Sequence, residues 1–333
     1  MKSIKIIILF ISPLIVSWIS LFLGAYKINP IMVIKVFFNE AFHIFNLKDI
    51  PEKAILIDIR LPRVLLAGIV GASLSGSGVV LQGIFRNPLV DPFILGISAG
   101  AAFGCAITVG FFPQWSIQFN AFIFGLVAVG LAYIIARTQG EISRLPLILS
   151  GVIVSAFFQA LVSIVKFLVD PHKLQAIIFW LMGSFSLSDW RTFKIAFLGS
   201  LIGLLPIYFM RWRLNVLSLS EEEAKSLGVN VKRERLIFII FSTLAVATAT
   251  SVCGIIGWVG LMVPHLVRMM IGPDHRILFP LSLTTGASYM ILADTISRTI
   301  TSFDIPVGII TALTGAPFFL YIMKKGGKEA WGK

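Results

Sequence analysis

The sequence predicts an all-α, polytopic membrane protein with ten transmembrane helices. The chain of 333 residues is 57% hydrophobic and only 13% charged, whereas soluble domains carry about 25% charged residues. Long apolar stretches recur throughout, and a helix needs about 20 such residues to cross the hydrocarbon layer. The first stretch follows Lys2 and Lys5, and its length without a clear cleavage site favours a retained span over a secretory signal. The membrane is therefore the solvent for most of this chain.

The apolar windows define one transmembrane domain over residues 1–333. We place its spans near 4–26, 64–84, 93–112, 119–136, 146–168, 193–210, 236–252, 256–271, 279–297 and 307–323. The window 236–271 fits either one long helix or two spans broken between Gly254 and Gly257. The positive-inside rule favours two, because ten spans place both termini in the cytoplasm and keep the basic carboxyl-terminal tail inside. Residues 211–235 then form the largest cytoplasmic loop, and 174–182 form an interfacial helix outside.

Several function classes do not fit the sequence. The net charge of +12 comes from Lys and Arg in short loops, so nucleic acid is not a predicted partner. Cys105, Cys253 and the four histidines lack second ligands at metal-binding spacing, so we predict no metal site. The glycine-rich stretch 68–83 lacks the Lys-Ser or Lys-Thr of a phosphate-binding loop, and no nucleophile, base and orienting group occur together. We expect a transport protein without catalytic residues or a bound cofactor, which draws its energy from a separate chain or an ion gradient.

Small residues mark the second span as central. Gly71 with Ser75, and Ala72 with Gly76, are spaced four apart, which lets helices approach closely in lipid. The fifth and tenth predicted spans both begin at a proline with glycines following. This similarity hints at two related halves of opposite topology.

The cytoplasmic loop carries a predicted short helix over residues 221–227. Ser220 and Glu223 form a capping box, the glutamates oppose the positive end of the helix dipole, and Gly228 is a suitable left-handed cap. So short a helix is marginal alone in water and needs a docking surface. A solvated charged turn is the alternative.

Charged residues also stand at the outer ends of two spans. Asp294 and Arg298 have the spacing of an intrahelical ion pair, and interfacial snorkelling would explain isolated arginines. Arg60 and Arg63 are so close together that their rigid guanidinium groups favour carboxylates on a partner protein.

These features resemble the FecCD family of ABC importer permeases, the cobalamin, haem and ferric-siderophore type. The resemblance covers nearly the whole chain, and its motifs occur in the family's order and spacing. They are Arg60-Leu61-Pro62-Arg63, residues 82–89 with Asp91-Pro92, residues 95–101, Trp180-Leu181-Met182-Gly183-Ser184, residues 217–228, residues 260–265, Asp274-His275-Arg276, Ala293-Asp294, Pro306-Val307-Gly308 and Gly315-Ala316-Pro317.

The resemblance implies a type II ABC importer permease fold with inverted half repeats, located in the cytoplasmic membrane. It implies a homodimer with the transport path at its interface, lined by the fifth and tenth spans. The implied partners are two cytosolic ABC ATPase subunits, which use ATP and Mg²⁺, an extracytoplasmic substrate-binding protein and membrane lipid. No cofactor would be bound by this chain itself.

The resemblance also implies roles for particular residues. Arg60, Arg63 and Arg298 would receive acidic residues of the binding protein. The coupling segment that sits on the ATPase would comprise Leu217, Leu219, Ser220, Glu221, Glu222, Glu223, Ala224, Leu227 and Gly228. The cytoplasmic gate would comprise Asn87, Leu89, Ser143, Arg144 and Leu145, although the stretch 144–146 departs from the usual family spacing.

The predicted function is import of a metal chelate, that is, a ferric siderophore, haem or cobalamin. Import of molybdate or tungstate on the same scaffold is one alternative. An ion-gradient secondary transporter is another, but it would need ionisable residues in mid-membrane, and acids are nearly absent there. A membrane enzyme lacks a catalytic constellation.

Overall fold

The computed structural model describes residues 2–24, 26, 28–42, 50–137, 144–301 and 303–325. These parts of the chain are helical and contain no strand. A π-helical segment, Ile55–Arg60, joins the third helix to the fourth. Helices α1 to α15 span Lys2–Phe22, Pro30–Phe42, Pro51–Ala54, Leu61–Phe85, Ile97–Phe111, Ile117–Ala136, Arg144–Leu168, Pro171–Leu181, Trp190–Met210, Arg213–Leu217, Glu221–Ser226, Val231–Cys253, Val259–Ile271, His275–Ser297 and Val307–Lys325.

Seven helical segments of the described chain are long and apolar enough to cross a bilayer. They are Ser3–Phe22, Pro51–Phe85, Ile117–Ala136, Arg144–Leu168, Trp190–Met210, Val231–Cys253 and His275–Ser297. Three shorter apolar helices, Ile97–Phe111, Val259–Ile271 and Val307–Ile322, lie at the other predicted spans. The all-α, multi-pass prediction is confirmed. Ten crossings and the inverted relation of two halves stay predictions.

Helix α4 lies at the centre of the bundle, as its small residues predict. In its most apolar window 78% of residues are buried, against 11% for the peripheral α1. It packs against α9, α12, α13 and α14. A Cβ atom added at Gly71 would lie 2.2 Å from the carbonyl oxygen of Gly286, and one at Gly78 would lie 1.9 Å from that of Gly260. Backbone therefore touches backbone at these crossings, which only glycine permits.

This contact yields a stability prediction for the Gly71→Ala variant. The added methyl group would overlap the backbone of α14, so the two helices must separate at a cost of about 1–3 kcal/mol or more. We expect a clearly lower Tm in detergent and less monodisperse protein. The matched control is Gly130→Ala in α6, where a Cβ would meet nothing within 4 Å. Equal Tm values for the two variants would contradict the close packing of α4.

The window 236–271 forms two helices. Helix α12 ends at Cys253 and α13 begins at Val259. Between them Gly254 has a φ of +76°, and a Cβ there would lie 2.1 Å from the carbonyl oxygen of Trp180. Non-helical backbone at membrane depth is tolerated where protein buries it or where it lines a cavity. The break is packed against the end of α8, which covers most of the predicted outer helix at 174–182.

Candidate functional site

The short acidic helix forms as the sequence predicts. The hydroxyl oxygen of Ser220 accepts a hydrogen bond from the Glu223 backbone N–H at 3.1 Å, and the Ser220 backbone N–H donates to Glu223 Oε2 at 2.8 Å. The side-chain hydrogen bond from Ser220 lowers the pKa of Glu223, so this carboxylate stays ionised at neutral pH. Gly228 follows with a φ of +75°. The capping box is confirmed, and α11 is a helix and not a solvated turn.

Helix α11 is held on the bundle by contacts within its own chain. Arg235 of α12 donates to Glu221 Oε1 at 2.6 Å, and this hydrogen bond lowers the pKa of Glu221. Ala224 is fully buried, and Leu217 is 3% exposed. Arg86, the residue after α4, donates from Nε to the carbonyl oxygen of Leu217 at 3.1 Å. The chain itself therefore supplies part of the docking surface that this helix needs.

Two apolar residues that flank α11 are exposed. Leu219 is 40% exposed and Leu227 is 61% exposed. Glu222 is also exposed. The predicted coupling residues thus divide into a buried set, which anchors α11, and an exposed set, which is free to contact another protein.

The predicted gate residues lie beside this anchor. Asn87 Oδ1 accepts from the Leu89 backbone N–H at 2.9 Å in the turn after α4. Arg144 and Leu145 begin α7, and Leu145 is 66% exposed. Ser143 lies outside the described residues. Arg144 is within electrostatic range of Arg86, Arg235 and Glu221, so the start of α7 and the coupling helix share one group of charges.

The three arginines predicted to dock a binding protein are buried and bonded within the chain. Arg60, Arg63 and Arg298 are 5%, 8% and 7% exposed. Arg60 donates to the carbonyl oxygen of Leu21 at 2.6 Å, and Arg298 donates to Ser20 Oγ at 2.7 Å. Both guanidinium groups also reach other carbonyls near the end of α1. Cations in this position satisfy the terminal carbonyls and oppose the negative end of the helix dipole.

Arg63 pairs with two carboxylates of its own chain. Its Nη2 lies 2.8 Å from Asp294 Oδ1, and its Nη1 lies 2.6 Å from Asp304 Oδ2. Arg298 Nε lies 3.5 Å from Asp294 Oδ2, so the predicted intrahelical pair is confirmed. Asp304 was not a predicted site residue. The guanidinium groups are not free in this structure, and a role in docking a binding protein stays a prediction.

The described parts of the chain contain no cluster of side chains that could bind a metal ion. There, no three His, Cys, Asp or Glu side chains come together in a group that could hold an ion. Cys105 and Cys253 are buried and free of disulfides.

Comparison with known proteins identifies the family. The model of the FecCD transport family matches residues 11–325. The "probable iron chelatin transport system permease protein" of Helicobacter pylori is 46% identical over 87% of this chain and 88% of its own length. The molybdate import system permease protein MolB of Haemophilus influenzae is 40% identical over 94% of both chains. The cobalamin import system permease protein BtuC of Halobacterium salinarum is 43% identical over 83% of this chain and 75% of its own length.

A solved structure agrees with these relatives. A metal-chelate type ABC transporter in an inward-facing conformation matches with a TM-score of 0.86 and 38% identity, over 96% of this chain and 99% of the other. The match to the family model and the similarity of the fold indicate the same family. The chain belongs to the FecCD transport family and is an ABC transporter permease.

Proposed function

We propose that this permease forms the path of an ATP-powered importer that carries a metal chelate into the cytoplasm. The observation that carries the proposal is α11, a capped helix that Arg86 and Arg235 hold on the bundle while Leu219 and Leu227 stay exposed. In a FecCD chain, an anchored acidic helix flanked by two exposed leucines suits docking of a cytosolic ABC ATPase. ATP and Mg²⁺ would act in that separate subunit.

In the proposed assembly, two copies of the chain pair around a central path and each presents α11 to one ATPase subunit. Closure of the ATPase pair on ATP pushes on both α11 helices. The push would reach the predicted gate because Arg86 bonds the end of α4 to α10, directly before α11, and because Glu221 of α11 interacts electrostatically with Arg144. Asn87, Leu89 and Leu145 would then move with their helices and alternate access to the path.

The topology of the proposal has ten crossings with both termini in the cytoplasm. The ten apolar helices and the positive-inside rule support it. Helix α11 would then lie on the ATPase side. Arg60, Arg63 and Arg298 would lie at the outer end, where an extracytoplasmic binding protein delivers the substrate. Because these arginines are bonded within the chain, docking there would use the surface that they shape or require one of them to exchange partners.

The substrate class rests on the relatives. The Helicobacter pylori relative is named for iron chelatin transport, and the Halobacterium salinarum relative for cobalamin import. Molybdate is the second candidate, because the relative named for molybdate import is 40% identical over 94% of this chain. Selectivity would lie largely in the binding protein.

Uptake by reconstituted vesicles tests the proposal. The full-length permease is co-expressed with its ABC ATPase and binding protein, captured by a tag on the permease and placed in proteoliposomes. We expect accumulation of one labelled metal chelate, among a ferric siderophore, haem and cobalamin, only when ATP and Mg²⁺ reach the ATPase side. Accumulation of molybdate alone would select the second candidate. Uptake driven by an ion gradient without ATP would contradict both and favour a secondary transporter.

A further inference from the structure

A cavity of about 560 Å³ opens beside the coupling segment and borders the predicted gate residue Asn87. Its walls come from the end of α4, from α10, from α13 and from the start of α14. The residues that the argument uses are Gln82, Arg86, Asn215, His265, Arg268 and His275. Its volume falls in the range of small-molecule sites, about 300–1,000 Å³.

Two arginines on the cavity wall each have a hydrogen-bond donor without a partner in the parts of the chain that the structure describes. Arg268 donates from Nη2 to Gln82 Oε1 at 2.9 Å, and Arg86 donates from Nε to the carbonyl oxygen of Leu217. These contacts hold both guanidinium groups in place. Arg268 Nη1 and Arg86 Nη2 are buried and find no hydrogen-bond partner among the described residues. A buried donor without a partner costs free energy, and an unseen ion or water is a common reason for one.

Two histidines add unpartnered ring nitrogens. His265 and His275 are each 6% exposed. Asn215 Nδ2 donates to Asp274 at 2.8 Å, so Asn215 Oδ1 is the acceptor for the backbone N–H and for Nδ1 of His275. Nδ1 therefore carries a proton. The other ring nitrogen of His275 and both ring nitrogens of His265 have no partner in the described part of the chain.

The acids near this cavity are already engaged. Asp274 accepts from Asn215 and from the Arg276 backbone N–H as the N-cap of α14. Glu221 and Glu223 interact electrostatically with Arg86. Their carboxylates are already hydrogen-bonded, that of Glu221 to Arg235 and that of Glu223 to Ser220. Neither Arg86 nor Arg268 shows an ion pair among the described residues. Water could satisfy a donor but would leave the two positive charges unbalanced, whereas an oxyanion satisfies both requirements.

We propose that this cavity binds a phosphate-type oxyanion, held between Arg86 and Arg268 with His265 and His275 beside it. Free phosphate and the phosphate of a lipid headgroup share this chemistry. The ligand would tie the end of α4 to α13, next to the residues that anchor α11. The inference goes beyond the transport proposal and does not depend on the substrate carried.

Binding to the full-length permease tests this site. Inorganic phosphate is titrated into delipidated permease and followed calorimetrically, with Arg268→Gln as the test variant. Arg276→Gln is the matched control, because Arg276 is exposed on α14 and does not line the cavity. In parallel, the permease is placed in nanodiscs of phosphatidylcholine with or without phosphatidylglycerol, and the lipid retained on extraction is measured. Arg86→Gln serves as a second variant in case Arg268→Gln lowers the yield of folded protein, because it removes the other unpartnered guanidinium donor.

We expect phosphate to bind the native permease and the Arg276→Gln variant equally, and the Arg268→Gln variant about tenfold or more weakly, since it loses a charge-assisted contact. Retention of phosphatidylglycerol that depends on Arg268, without binding of free phosphate, would support the same site with a lipid source. Binding that neither variant weakens would overturn the proposal. The absence of both phosphate binding and selective lipid retention in the native permease would overturn it as well.

Discussion

Exchanging Leu219 and Leu227 for serine is expected to abolish ATP-driven uptake while leaving the permease folded in the membrane. Both leucines are exposed and lie on either side of α11, whereas the contacts that hold α11 involve Leu217, Glu221 and Ala224. Removing an apolar anchor at the centre of an interface costs about 2 kcal/mol or more. Replacing either leucine would thus weaken association with the ATPase by about 30-fold. Capture of the ATPase by tagged permease and uptake by proteoliposomes measure the loss.

The control for this double variant is Leu187→Ser. Leu187 is 93% exposed but lies in the loop between α8 and α9, far along the chain from α11. Its exchange should leave ATPase capture unchanged. If the Leu219 and Leu227 variant still captured the ATPase and transported at the native rate, α11 would not be the coupling element. Loss of folded protein would instead show that these leucines pack within the bundle.

The elements that the sequence predicts well are those whose signals are local. The apolar windows correspond to the observed helices because burial in lipid demands about 20 consecutive apolar residues. The capping box of Ser220 and Glu223 closes over three residues, so its geometry follows from spacing alone. The small residues of α4 indicate close approach, although the partner, Gly286 in α14, cannot be read from their spacing.

The contacts that the sequence does not predict join residues far apart in the chain. Arg63 pairs with Asp304, and Arg86 reaches the backbone of Leu217. No periodicity links such positions, because only the packing of α4 brings them together. The expectation for Arg60 and Arg63 illustrates the difficulty. Two arginines at a span end suggest an external carboxylate, but the chain supplies carbonyls from α1 and two carboxylates of its own.

In the proposed assembly, the anchor of α11 would let a small helix transmit force. Arg86 ends α4 with a positive φ of 51° and bonds to α10, while Arg235 bonds α11 to α12. Helix α4 is the most buried helix of the candidate spans. A push on α11 would therefore pass to the centre of the bundle and not only to the loop that carries it.

The Asp294→Asn variant is expected to be much less stable than the native permease. Asp294 is 1% exposed and lies between Arg63 and Arg298. Asparagine keeps the shape but removes the negative charge, so two buried guanidinium groups would share only Asp304. Removing one member of a buried ion pair costs about 3–5 kcal/mol. The measurement is the Tm of the full-length permease in detergent.

Glu40→Gln is the matched control for this variant, because it also removes one carboxylate from an ion pair. Glu40 and its partner Lys53 are 39% and 31% exposed, and such surface pairs contribute about 0–1 kcal/mol. Its Tm should stay close to the native value. Affinity for the binding protein then separates the two roles of the arginines. A native Tm for Asp294→Asn would contradict the structural role, and if binding-protein affinity fell at the same time, the arginines would serve docking instead.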